Sequence, residues 1–215
     1  MNTNYDSYKS IISLDIETQG QPDSLAIFEP KFEQDKRLTD PAKIEASNQA
    51  KRDDWQQEGA LKAERGRIIG VGYSINGATP EVATSLTDES SLIHVILNLF
   101  TDCPDALFVG HNLLGFDLPF IRRRCWMNGI SFPFAKADKW NPWTIRTFDT
   151  MKEWQLGNSR DMVSLDSLAR GFGYGGKLGS GKDFAKLLQE DEGAAWAYLS
   201  RDVELSYKVA RRMIP

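Results

Sequence analysis

The sequence predicts an α/β fold, a mixed sheet with helices on both faces. Its predicted segments run in the order β-β-β-α-β-α-β-α-α, which suits a sheet covered on both sides. Asn76-Gly77 between two apolar runs is a hairpin signal, so the early strands meander. Ala106 to Gly110 is short and continuously apolar, the pattern of a buried parallel strand. With 215 residues, 41% hydrophobic and 26% charged, the chain belongs to the globular class and fits one domain with an elaboration.

Strand one is IISLDIE, residues 11 to 17, with Ser13, Asp15 and Glu17 on one side and Ile12, Leu14 and Ile16 on the other. From Glu29 to Arg65 the chain is charge-mixed and poor in apolar residues. Asp40-Pro41 supplies an N-cap and first helical residue for a helix towards Leu61, with Ile44 and Trp55 on its sparse apolar stripe. Strands follow at Arg67 to Ile75 and Val82 to Ser85. Asp88 caps a helix bearing Leu92, Ile96 and Leu99. After strand Ala106 to Gly110, GHNLLGFDLPFIRRRCW is a loop that turns into a helix with Leu118, Ile121 and Cys125 on one face. Phe148 to Thr150 is a further strand, SLDSLARGFG a helix ending at glycine, and residues 194 to 212 a final helix.

The N-terminal MNTNYDSYKS lacks the basic and apolar regions of a secretory signal, and no apolar run approaches the ~20 residues of a spanning helix. The expectation is a cytoplasmic protein with no membrane partner. Cys103 and Cys125 show no metal-binding or paired spacing and read as reduced thiols. The net charge of −4 argues against strong non-specific nucleic-acid binding. Locally the balance reverses. Between Ile121 and Thr147, Arg122, Arg123, Arg124, Lys136, Lys139 and Arg146 stand against Asp138 alone, a local +5, with Trp126, Phe132, Phe134, Trp140 and Trp143 interleaved. This segment suits either a phosphate track with Trp140 or Trp143 as a stacking surface or the solvated face of a helix.

Asp15 and Glu17 emerge on one side of their strand, roughly 7 Å apart at ~3.3 Å per residue. Two buried carboxylates so close repel each other unless cations compensate, whereas a strand end in water would relieve them. In the last helix Tyr198, Asp202, Leu205 and Val209 share one face. Asp202 therefore lies in an apolar stripe, as a core salt bridge or a metal ligand would. Asp117 is locally the N-cap of the helix opening at Leu118-Pro119, yet it stands just past the carboxyl end of a buried parallel strand, where open α/β sheets bind ligands.

DIE at 15 to 17, GHNLLGFDLPFI at 110 to 121 and YLSRD at 198 to 202 resemble the three exonuclease motifs of the DEDDy branch of the DnaQ-like 3′–5′ exonuclease superfamily. Over residues 11 to 212 the chain is similar to the exonuclease domains of family B DNA polymerases and their stand-alone, phage-type relatives. The resemblance implies a ribonuclease H-like fold, a five-stranded sheet ordered 3-2-1-4-5 with strand two antiparallel. It implies one exonuclease domain over residues 1–215, with a charged helical insertion at about 29–66. In the related branch a His stands five residues before the last Asp. Here that residue is Ala197 and Tyr198 stands four before, which indicates the tyrosine subclass.

The implied catalytic residues are Asp15, Glu17, Asp117, Tyr198 and Asp202. The four acids would hold two Mg²⁺ or Mn²⁺ ions, Asp15 bridging both, Glu17 and Asp202 on the ion that activates water, and Asp117 acting on the other. An all-carboxylate set favours such hard ions over zinc. A neutral phenol, with an unperturbed pKa of ~10, is a poor base near neutral pH, which leaves Tyr198 to orient the attacking water. Thr18, Asn112 and Phe116 would contact the terminal nucleotides, although Phe116 also suits a core position. Implied partners are nucleic acid, above all single-stranded DNA or 3′ ends, and replication or repair proteins that the sequence does not identify. Two other readings stay open, a structure-specific endonuclease of the same fold and a non-catalytic nucleic-acid-binding module. GKLGSGKD at 176 to 183 matches the GxxxxGK spacing of a P-loop, but Asp183 stands where Ser or Thr is needed and a helix precedes it. It reads as a flexible loop. His111 has no acid spaced for a catalytic triad.

Overall fold

Alternation along each strand determines which side chains face which layer of helices. The computed structural model describes residues 8–33, 35–136 and 142–214. Its elements are β1 (Ile11–Gly20), α1 (Ser24–Phe28), α2 (Pro41–Glu58), β2 (Gly66–Ile75), β3 (Glu81–Thr84), α3 (Glu89–Asp102) and β4 (Leu107–Gly110). A π-helical turn (Leu113–Asp117) then leads into α4 (Leu118–Met127), β5 (Arg146–Asp149), α5 (Thr150–Gln155), α6 (Leu165–Gly171), α7 (Phe184–Glu190) and α8 (Glu192–Met213).

The strands form one sheet in the order β3-β2-β1-β4-β5. β4 is parallel to both β1 and β5, and β2 is antiparallel to β3. Asn76, just past the end of β2, bonds twice to Ile11 at the start of β1, each time at 2.8 Å. β2 therefore runs antiparallel to β1, and the mixed sheet of the expected order is observed. Asn76 and Gly77 both take positive φ, 53° and 74°, the backbone a tight hairpin turn demands.

Helices cover both faces. Ile11, Leu107, Val109 and Phe148 pack with Ala210 of α8, while Ile69 of β2 packs with Phe184 of α7 and with Leu199 and Val203 of α8. Phe108 points the other way along β4, as alternation requires, and meets Phe100 of α3 edge-on at 4.8 Å. α6 joins through Leu165, Leu168 and Ala169, packed on Leu205 and Val209 of α8. The long last helix is thus the common wall of three apolar clusters.

Between α3 and α4 sits a buried ion pair. Arg124 donates to Glu89 at 2.8 and 2.7 Å, and Glu89 also accepts from the Ile68 backbone N–H at 2.8 Å and from Asn128 at 3.0 Å. Their side chains are 3% and 9% exposed. The basic stretch is therefore partly structural. Arg124 belongs to the core, and Arg122 stacks over Trp126 and Trp143. Trp143 itself is buried, which removes it as a stacking surface; Trp140 lies outside the described residues. Glu89→Ala should cost about 3–5 kcal/mol in urea unfolding, because it removes the carboxylate paired with a buried guanidinium.

The chain forms two compact units, Thr18–Arg67 and the remainder. Within the smaller unit, Asp40 caps α2 through the Ala42 N–H at 2.9 Å, as expected, and α2 gives way at Gly59 to a 3-10 turn ending at Leu61. α2 has no buried residue. Its Trp55 is instead held from two sides, by Phe28 of α1 at 6.3 Å between ring centroids and by the Arg65 guanidinium at 4.2 Å. α5 and α7 were not foreseen; each is under two turns long and shows too few residues for a period. No described helix is long and apolar enough to cross a membrane. Cys103 and Cys125 are free thiols.

A candidate metal centre

Strand alternation puts Asp15 and Glu17 on one side of β1, and α8 brings Asp202 to them. One carboxylate oxygen from each of the three lies within 4.8 Å of the others. Asp202 is 1% exposed and Glu17 8%, while Asp15 is half-buried. Asp117 arrives from the π-helical turn after β4 and is buried too. It makes no helix cap. Its carboxylate instead accepts the backbone N–H of Ile16 at 3.1 Å, which fixes it beside Asp15.

The four acids outnumber the positive charge that faces them, which comes from Lys177. Burial, then the charge of Asp202, pushes the Asp15 carboxyl up to about 7, against the pull of Lys177. Burial first and Asp15 next hold both Glu17 and Asp117 well above their ordinary values. Burial also raises Asp202, opposed by Lys177. Each carboxylate is thus biased towards taking up a proton, as buried like charges must be without enough counter-ions.

Lys177 is the cation that sequence reading missed. Its Nζ lies 2.5 Å from Asp202 Oδ2 and 5.3 Å from the centre of the Tyr198 ring. Burial lowers its pKa, but Asp202, Asp15 and Glu17 together hold it above the ordinary value. The only sequence signal was a lysine between glycines in GGKLGSGK. That segment lies over the acids: a Cβ added to Gly181 would meet Glu17 Oε2 at 3.3 Å and the Tyr198 hydroxyl at 3.7 Å. It forms no P-loop, since the element before it is the helix α6 and not a strand.

Tyr198 lies one turn before Asp202 on α8, its ring against Phe184 at 5.8 Å. Among the described residues neither the Tyr198 hydroxyl nor Asp202 Oδ1 has a partner, although both are buried, and such orphans call for an explanation. Burial, followed by Glu17, Asp202 and Asp15, pushes the phenol well above its usual pKa. Tyr198 is a neutral hydroxyl at working pH.

The other expected residues are placed as follows. Thr18 donates its hydroxyl to the Ala60 carbonyl at 2.6 Å. Asn112 takes a left-handed conformation with φ 64°, and Phe116 is half-buried with its ring 5.3 Å from that of Phe120. His111 bonds Thr150 and the Val163 carbonyl, each at 2.9 Å, and burial lowers its pKa. These contacts give it a structural role.

The donor set fits a hard divalent cation. It offers carboxylate oxygens alone, an unpartnered Asp202 oxygen and a deficit of positive charge, the oxygen-only set that hard cations take.

No protein-family model and no curated protein sequence matches the chain. Among solved structures it is similar to the family B DNA polymerase of the hyperthermophilic archaeon Pyrobaculum calidifontis, at 15% identity and a TM-score of 0.66. The match covers 96% of this chain and 24% of the polymerase, so the chain spans about a quarter of that protein's length. At this identity the likeness is one of fold.

Proposed function

We propose that the chain is a metal-dependent 3′–5′ exonuclease of the DEDDy type that acts on nucleic-acid 3′ ends, DNA above all, and releases nucleoside 5′-monophosphates. The convergence of Asp15, Glu17 and Asp202 within 4.8 Å carries this reading, and the fold likeness supports it. In this reading the chain is one exonuclease domain in which Thr18–Arg67 is the elaboration.

Asp15, Glu17 and Asp202 would hold divalent ions, with Asp117 beside Asp15 completing the set for two. Ions bound there supply Lewis acidity towards phosphoryl oxygens and neutralise charge. The reaction adds a water oxygen to phosphorus and breaks the bond from phosphorus to the 3′ oxygen of the preceding nucleotide, which leaves with a proton. Tyr198, with its pKa raised, acts through its hydroxyl as a donor and acceptor that orients the water, not as a base. Lys177 balances the charge of Asp202, and an ion held by Asp202 would take over that role. Asn112 and Phe116 follow the strand β4 that leads to Asp117 and are assigned to the terminal nucleotides.

A 5′-end-labelled single strand incubated with Mg²⁺ tests the reading. Stepwise shortening from the 3′ end, abolished by EDTA, is expected. Internal cuts would indicate an endonuclease instead, and metal-independent binding without cleavage a binding module.

A further inference from the structure

We infer that Asp149 is a positioning residue, the anchor that holds the Asp117 turn in place; this rests on the reading of Asp117 as part of the site. Asp149 ends β5 and pairs in register with Gly110, the last residue of β4. It is 2% exposed, and among the described residues it has no salt-bridge partner. A buried carboxylate in that position requires several hydrogen bonds, and Asp149 accepts four from backbone N–H groups. Oδ1 accepts from Asn112 at 3.0 Å, and from Met151 at 3.0 Å and Lys152 at 3.3 Å. Oδ2 accepts from Leu114 at 2.8 Å.

Two of these bonds cap α5, and the other two reach across to the segment that carries Asp117. That segment is irregular. Asn112 is a non-glycine residue at φ 64°, and Leu113–Asp117 is a π-helical turn, both of which persist only where surrounding contacts over-determine them. The wide turn brings Asp117 to the middle of β1 (Ile11–Gly20), where it accepts the Ile16 N–H. Asp149 therefore acts on the site through Asp117 and touches no reacting atom.

Asp149→Asn separates the two functions of the side chain. With its oxygen facing the three donors at Oδ1, the amide keeps the cap and the Asn112 bond but turns an NH₂ group on the Leu114 N–H. Only the Leu114 anchor is lost. Amide exchange by NMR on the metal-free protein should then show the Ile16 N–H exchanging about tenfold faster, the scale of one hydrogen bond to a charged acceptor, while the Leu107 N–H in the same sheet is unchanged. An unchanged Ile16 rate overturns the inference, and so does uniform acceleration of both amides, which a merely structural role would produce. In the unsubstituted protein the Leu114 N–H should exchange as slowly as that of Leu107, and fast exchange there counts equally against it. Calorimetric Mn²⁺ binding closes the cycle: Asp149→Asn should weaken affinity in the parent and add nothing in an Asp117→Asn background, and an additive loss contradicts action through Asp117. If the parent binds no Mn²⁺, the nuclease reading fails while the exchange data still decide the anchor.

Discussion

Asp15→Asn is expected to lower turnover on a single-stranded 3′ end by about 10²–10³-fold or more, the scale set by removing one group that stabilises transition-state charge. The same substitution should raise the thermal midpoint of the metal-free protein. In the absence of ions Asp15 is one of several mutually repelling acids, and an amide in its place removes that repulsion without changing shape. Loss of activity with gain of stability marks a residue kept for function at the expense of stability. Near-normal turnover, or a lower midpoint in the metal-free variant, would remove Asp15 from its proposed role.

The second large effect is on pH dependence. A carboxyl whose folded pKa lies above its unfolded value binds more protons when native, so stability falls as pH rises between the two values. For Asp15 that window runs from the ordinary 3.8 to about 7, and Glu17, Asp117 and Asp202 shift in the same direction. The metal-free protein should therefore lose on the order of a few kcal/mol between pH 4.5 and 7.5. Mg²⁺ should restore the loss at the upper end, because it binds the ionised acids of the native state. Urea midpoints across this range with and without Mg²⁺ provide the measurement. A flat profile, or the same decline with Mg²⁺ present, contradicts the electrostatic account.

Local periodicity made much of this molecule legible. The alternation in Ile11–Glu17 places two acids on one side of a strand, Asn76-Gly77 forms the turn it signals, and the face shared by Tyr198, Asp202, Leu205 and Val209 is buried as its spacing implies. Contacts between distant segments were not legible. Arg124 lies three residues after Ile121 on the core face of α4, but its partner Glu89 is 35 residues earlier and looked only like the first turn of a helix. Asp117 carries the local signature of a cap, and the π-helical turn that denies it that role is held by Asp149, which looked like an ordinary strand end. Lys177 has no periodic context at all; only the fold of the glycine-rich segment over α8 brings it to Asp202. In each case the sequence indicates the residue type while its partner depends on tertiary packing.

The central claim is that these acids form a cation site. Crystals soaked in Mn²⁺, with data collected at the manganese edge, test it most directly. An anomalous peak coordinated by Asp15, Glu17 and Asp202, with Lys177 displaced from Asp202, is the predicted result. No peak among these carboxylates, with the bond between Lys177 and Asp202 intact at saturating Mn²⁺, would contradict it.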